Sequence, residues 1–462
     1  MQPTLPCHKS RLAAFGASPL PDTPGIKRLE PARRVVVDAG DTRRRRCITA
    51  ASVTVPSPER ADEGRAAAPA PGRDPRRLAE ILEEIQKVGP LSVEELVASL
   101  RERAEVRIAF SGRPERDRRS DVEGRLRELA GLSWIEENVQ KWALTETGKV
   151  IPPWGPVSDP ARFARALCLA HERHNKHVIS RLLSRLWELH PTRQGAVVLA
   201  RPPMTALPVD QAALRRWIPD ILTSWLGRLA REMTGFVLPS SLDEAAQTVE
   251  RTLGEGWEGL VPSERKRRLE KAMVDRLHEL LFGGIVAPRD LSVWQSRMDW
   301  AGLALVARKL PGVRGQVWFP VGAFRRSGNP SFTPVDGLAH DGLVYHVHTP
   351  SGLEAEAQFA ASLYHCYRVR QQRDKTEYVS LLAVRDHVCY TLRVGNSRFE
   401  SLLQQIFPRV LRGDLPYAIA LEVDLSPTDR RNIAGALPVI IDGTPRYILS
   451  MRQRTKSEGP AT

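Results

Sequence analysis

The sequence predicts a multidomain chain of α and α/β class, and three observations carry that prediction. The chain has 462 residues, room for roughly two to four domains. Apolar residues recur at helical spacing from about residue 75 to about residue 285. Beyond residue 286, segments rich in β-branched and aromatic residues alternate with helical ones. Hydrophobic residues make up 42%, which excludes a wholly disordered chain, a collagen-like chain and a small disulfide scaffold. No uninterrupted apolar run reaches the roughly 18 residues that span a bilayer, so no membrane partner is expected. The formal net charge of +14 favours an anionic partner, most simply nucleic acid.

Residues 1–73 are rich in Pro, Ala and Arg and include the run Arg43 to Arg46. They lack the apolar core of a secretory signal, and Asp22, Glu30, Asp38 and Asp41 count against a transit peptide. The stretch reads as a disordered basic tail. Five cysteines (Cys7, Cys47, Cys168, Cys366 and Cys389) form no C-x-x-C pair and are odd in number. A disulfide framework is therefore disfavoured and a reducing, cytoplasmic location expected.

Structure is expected to begin at Asp74-Pro75, a good N-cap followed by a residue favoured in the first helical turn. Leu78, Ile81, Leu82 and Ile85 then mark a helix that Gly89-Pro90 stops. Ser92 and Glu95 form a capping box for a second helix carrying Leu96, Val97 and Leu100. After a polar, Arg-rich insertion (101–119), a third helix is expected from Ser120 to Ala130, with Val122, Leu126 and Leu129 on one face. Two short extended pieces follow, Ser133 to Glu137 and Lys141 to Thr145. This order, with Ala130-Gly131-Leu132, Trp134-Ile135 and Leu144-Thr145-Glu146-Thr147-Gly148, resembles the winged helix-turn-helix family over residues 74–150. The resemblance implies that the third helix enters the major groove and the hairpin touches the backbone. The DNA-facing residues would be Arg118, Arg119, Ser120, Arg125 and Arg127, with Lys141 on the wing. The alternatives are a solvated helix face paired with Glu123 and Glu128, or a protein-docking module.

Pro152 to Pro156 reads as a linker, and residues 159–285 as a helical domain. Helices are expected at 161–189, 210–217, 221–233, 242–253 and 263–281, with one strand near Gly195 to Ala200. Trp187, Trp217, Trp225 and Trp257 read as core or interface fillers. Cys168, His171, His174 and His177 stand three apart like a metal comb, but steps of three drift backwards around a helix and disperse four ligands.

The last domain, residues 286–455, is expected to be mixed α/β. Strands are expected at 315–319, 342–348, 378–384, 388–394, 417–423, 439–441 and 447–450, and helices at 299–309, 352–373 and 398–411. Phosphate loops and a nucleophile elbow are absent from the sequence. Asp336-Gly337, then Tyr345-His346-Val347-His348 and a helix near Gly352, resembles a degenerate PD-(D/E)xK nuclease core, as in plasmid replication-relaxation proteins. Two histidines stand where that family has an acid and a lysine, so the resemblance implies DNA handling more readily than cleavage. Asp336, His346 and His348 would be the ligands of a divalent metal under a nuclease reading; otherwise no cofactor is expected. Asp414, Glu422, Asp424 and Asp429 form a second acidic group, read as a solvated edge strand or a cation site. Arg308, Lys309, Arg314, Arg325 and Arg326 flank Trp318-Phe319, and Arg368, Arg370, Arg373 and Lys375 follow Tyr364 and Tyr367. Arginine beside aromatics suits a phosphate-tracking groove, or simply a solvated basic face.

The expectation is a DNA-binding protein without an intact active site, such as a regulator or a replication or defence factor of a mobile element. The alternatives are a metal-dependent nuclease and a scaffold subunit. The charge sharpens this. Residues 75–150 carry 14 Lys and Arg against 15 Asp and Glu, so the positive excess lies in the tail and after residue 150.

Overall fold

Pro75 opens helix α1 (Arg76–Val88) in the computed structural model, which describes residues 75–102, 115–151, 160–189, 197–199, 202, 207–232, 242–308, 310–311, 316–326, 328, 330–423, 439–441 and 443–454. The tail at 1–73, the linker at 152–156, Lys309, Arg314, Asp424 and Asp429 lie outside the described residues, as does the side chain of Arg118. Leu78, Ile81, Leu82 and Ile85 are buried, and Gly89 ends α1 at φ 100°. That left-handed backbone suits glycine. Helix α2 (Val93–Glu102) opens on the reciprocal cap: Ser92 N donates to Glu95 Oε2 at 2.7 Å, and Glu95 N to Ser92 Oγ at 3.2 Å. Helix α3 (Glu115–Gly131) begins before the expected Ser120, so part of the Arg-rich insertion is helix. Val122, Leu126 and Leu129 are its buried face.

Strands β1 (Ile135–Asn138) and β2 (Lys141–Leu144) form an antiparallel hairpin. Val139 and Gln140 take φ 49° and 62°, the left-handed pair that a two-residue type I′ turn requires. Leu91 bridges to Trp142 and ties the approach of α2 to the hairpin. Thr145 caps the short α4 (Glu146–Lys149), accepting from Gly148 N at 3.1 Å and donating to Ser133 O at 2.7 Å. A Cβ on Gly148 would lie 1.9 Å from the Trp134 carbonyl oxygen. That is why the L-T-x-x-G phrase ends in glycine.

The helix expected over 161–189 is two helices, α5 (Pro160–His174) and α6 (Val178–Leu189), because Lys176 and His177 turn left-handed at φ 49° and 59°. Glu172, buried at the end of α5, accepts from Ile179 N at 2.7 Å and Ser180 N at 3.2 Å. A carboxylate there satisfies the free N–H groups that begin α6. Conversely, α7 (Gln211–Glu232) runs through Pro219 and joins the helices expected at 210–217 and 221–233. Helices α8 (Leu242–Leu253), α9 (Pro262–Phe282) and α10 (Pro288–Trp300) follow.

Among the described residues the helix expected over 299–309 does not continue past Trp300. Helix α10 ends at Trp300, Gly302 turns at φ 63°, and Ala304–Arg308 is strand β4. It joins β3 (Val197–Leu199) and β5 (Gln316–Pro320) in an antiparallel sheet of order β3-β5-β4. A second sheet, order β6-β8-β7, contains β6 (Gly322–Arg325), β7 (Phe332–His340) and β8 (Leu343–His348). Register shifts between Pro334 and Ala339, and Asp336-Gly337 sits inside that irregularity. After α11 (Leu353–Asp374) and the two-residue β9 (Val379–Ser380), the strands expected at 378–384 and 388–394 are replaced by one helix, α12 (Leu381–Leu392). Ser380 caps it, and Leu381, Val384, Arg385, Val388 and Cys389 form a buried stripe at helical spacing. Packing has overridden the β propensity of its valines. Helix α13 (Asn396–Arg412), β10 (Tyr417–Glu422), β11 (Val439–Ile441), β12 (Thr444–Arg446) and β13 (Ile448–Gln453) complete two small sheets, β10-β13-β9 and β11-β12.

The fold is thus mixed helix and small antiparallel sheets. One hydrophobic cluster holds α1 to α3 and the hairpin together with Phe163 and Leu167 of α5. A larger one runs from α5 to β13, so residues on both sides of position 285 share a core. Phe282 and Trp318, with ring centres 5.2 Å apart, show this. Trp225 and Trp257 are buried and Trp217 packs against this core, whereas Trp187 is 39% exposed. Cys168, Cys366 and Cys389 are free and buried. Among the described residues no helix is long and apolar enough to cross a membrane.

Candidate nucleic-acid interface

Helix α3 has three faces because its side chains step around the axis with a period of 3.6 residues. Val122, Leu126 and Leu129 face the local core. Asp121, Arg125 and Glu128 turn towards α1 and α10. Asp121 accepts from Arg77 Nη1 at 2.6 Å and from Arg125 Nη2 at 3.2 Å. The third face is solvent: Arg119, Ser120 and Arg127 are exposed, Glu123 lies half-buried beside them, and a Cβ on Gly124 would meet nothing within 4 Å.

The solvent face is already ion-paired. Arg119 reaches Glu94 of α2 through Nη2 at 2.9 Å and Glu123 through Nε at 2.9 Å. The Glu123 hydrogen bond, then the Glu94 charge, raise the Arg119 pKa above its ordinary value. Lys141, on the hairpin, meets Glu95 Oε1 at 3.1 Å. The hydrogen bond from the Ser92 backbone, then the one from Lys141, hold the Glu95 carboxyl below the usual carboxylate range. Arg127 donates from Nε to the Glu123 carbonyl at 3.3 Å. Glu94 and Glu95, in the first turn of α2, therefore stand between α3 and the hairpin. Arg119, Ser120 and Arg127 share the solvent face of α3, and Lys141 is linked to it through Glu95, the neighbour of Glu94. Arg125 does not join them, being turned inward and 15% exposed between Asp121 and Glu128.

The inward side holds a buried charge cluster that the sequence did not reveal. Glu128 Oε1 accepts from Arg297 Nη2 at 2.6 Å and contacts His171 Nε2 at 3.1 Å. These three residues are at most 2% exposed. Arg297 comes from α10 and His171 from α5, so the cluster fastens α3 to both. Asn175 meets the other ring nitrogen of His171 at 3.0 Å, and Trp294 lies edge-on to it at 5.3 Å. Burial pushes the His171 pKa down, and the Glu128 hydrogen bond opposes that. Cys168 donates its thiol hydrogen to the Arg297 carbonyl at 3.6 Å, and His177 leaves the helix to approach Glu172 at 3.5 Å. The Cys/His comb is dispersed.

The C-terminal candidates are scattered. Asp336 is exposed in the β7 irregularity. His346 is buried with Nδ1 against Val344 O at 2.9 Å, and His348 meets Leu392 O at 3.0 Å while stacking on Phe332 at 4.8 Å. Among the described residues no group of three or more His, Cys, Asp or Glu could hold a metal ion, so Asp336, His346 and His348 do not form the trio considered for a nuclease. Arg325 lies over the Phe332 ring at 3.9 Å and Arg326 is exposed beside it. Arg308 is exposed, with its backbone N–H on Asp386 at 3.1 Å. At the end of α11, Arg368 bonds Gln371, Arg370 and Arg373 flank Asp374, and Lys375 is exposed. Asp414 pairs with Arg412, and Glu422 is exposed on β10. Sequence reading also missed the neighbouring Asp299 and Asp386. Burial pushes Asp299 up to about 7, with Asn396 its hydrogen-bond donor at 3.1 Å. Comparison with protein-family models, curated proteins and solved structures finds no match to the chain.

Proposed function

We propose that this is a DNA-binding protein in which α1 to α3 and the hairpin act as a winged helix, with the solvent face of α3 presented to duplex DNA. The observation that carries the reading is the exposed face of α3 with Arg119, Ser120 and Arg127, and the exposed Lys141 of the hairpin, which pairs with Glu95 next to the Glu94 that holds Arg119. Guanidinium and ammonium groups on a protruding helix and loop are what phosphate contact needs. The role is binding rather than catalysis, as in a regulator or a replication or defence factor of a mobile element. Fluorescence anisotropy of labelled 25-base-pair duplex across 50–300 mM salt tests it. Log affinity should fall linearly with log salt. Arg119→Ala with Arg127→Ala should weaken binding and flatten that slope by about two. Duplex binding unchanged in that variant sinks the assignment of α3. The balanced charge of residues 75–150 favours a second reading, protein docking through the same face; it predicts salt-insensitive capture of a protein and no duplex affinity.

A further inference from the structure

The cations of the proposed DNA surface are not waiting for phosphate; carboxylates already hold two of them. Arg119 spends Nη2 on Glu94 and Nε on Glu123, and Lys141 spends its ammonium on Glu95. Glu94 and Glu95 belong to one helical turn, the N-terminal turn of α2, where the helix dipole favours any anion. Neither acid is required there by packing: Glu94 is 65% exposed and Glu95 47%. The capping box needs only an acceptor oxygen at position 95, which glutamine also supplies.

We propose, building on the DNA-binding reading, that Glu94, Glu95 and Glu123 are resident phosphate surrogates, so that duplex binding is an exchange of carboxylate for phosphate at Arg119 and Lys141. An exchange surface has a defined consequence. Each phosphate contact at Arg119 or Lys141 must first displace an internal one, so sequence-independent binding is weakened and a duplex that adds further contacts is favoured. The exposed pairs are weak enough to exchange at ordinary salt. This agrees with the near-zero net charge of residues 75–150 in a chain that is otherwise basic.

The test compares the full chain with Glu94→Gln/Glu95→Gln and with a charge-matched control, Glu136→Gln/Glu137→Gln. The control removes two exposed acids from β1, where Glu136 accepts from Asn138 and neither acid is ion-paired with Arg119 or Lys141. Random-sequence duplex is titrated at 50 and 150 mM salt, and thermal melts verify that each variant folds. The expected result is about 3- to 10-fold tighter binding by Glu94→Gln/Glu95→Gln, from two exposed pairs, with a steeper salt dependence and little change in the control. Equal tightening in both variants would overturn the exchange and leave the DNA-binding reading standing, because the effect would then be bulk charge. Unchanged affinity in Glu94→Gln/Glu95→Gln would overturn it too. Absence of duplex binding by wild type and both variants at 50 mM salt would remove the DNA-binding reading itself.

Discussion

On one side of α3, Glu128 meets Arg297 and His171 with all three side chains out of water; on the other, Arg119 meets Glu94 and Glu123 in solvent. The Arg–Glu distances are similar, 2.6 Å inside and 2.9 Å outside. Their energetics differ because water solvates a broken pair only on the exposed side. Removing one member of a buried pair strands a charge in low dielectric, whereas removing one member of an exposed pair costs almost nothing. The same two residue types therefore make an anchor on one face and an exchangeable surface on the other.

The largest expected effect breaks the anchor. Glu128→Gln should lower the unfolding free energy in urea by about 3 kcal/mol, because Arg297 keeps its charge and loses its carboxylate. Replacing both groups by apolar ones, Glu128→Leu with Arg297→Met, should recover most of that loss. A double variant as unstable as the single one would show that His171 and the surrounding polar groups need the ion pair. Next comes a half-buried carboxylate whose hydrogen-bond donor, Asn396, is neutral. Asp299 rises from 3.8 to about 7, first through burial and partly offset by Arg385. A carboxyl with a raised folded pKa binds more protons folded than unfolded, so its contribution to stability is lost as pH climbs from about 4 to about 7. Asp299→Asn keeps the acceptor for Asn396 and abolishes the charge. It should gain about 2 kcal/mol over wild type at pH 8 and nothing at pH 3.5, allowing for partial exposure of the site. Paired thermal melts across that range check it, and equal pH profiles refute it. The smallest effect is on the solvent face: Arg119→Ala should change stability by no more than about 0.5 kcal/mol. A loss near that of Glu128→Gln would mean the two faces are not different in kind.

Local signals in the sequence match the structure where their cause is local. The Ser92–Glu95 box and the periodic core of α1 to α3 appear where spacing put them. The strands expected at 378–384 and 388–394 survive only as the two-residue β9, for a specific reason. Val379, Val384 and Val388 weighted the reading towards β, while the stripe Leu381, Val384, Arg385, Val388 and Cys389, begun by Ser380, carried the helical period throughout. The expected helix at 299–309 ignored Gly302, whose left-handed turn separates α10 from β4. At the candidate site, sequence named Arg119, Ser120, Arg127 and Lys141 but could not tell Arg125 apart from them. Only packing shows that Arg125 belongs to the buried side.

The sequence by itself determined the early element order, the Ser92–Glu95 capping box and the uneven distribution of charge, because those depend on residues a few positions apart. Tertiary structure alone decided the partners of Glu128, since Arg297 lies 169 residues away and is chosen only when α10 packs against α3. It also decided which arginines water can reach. An arginine looks the same in sequence whether its neighbour is solvent or a buried carboxylate, and the difference in dielectric between those surroundings separates an anchor from a surface that can exchange its partners.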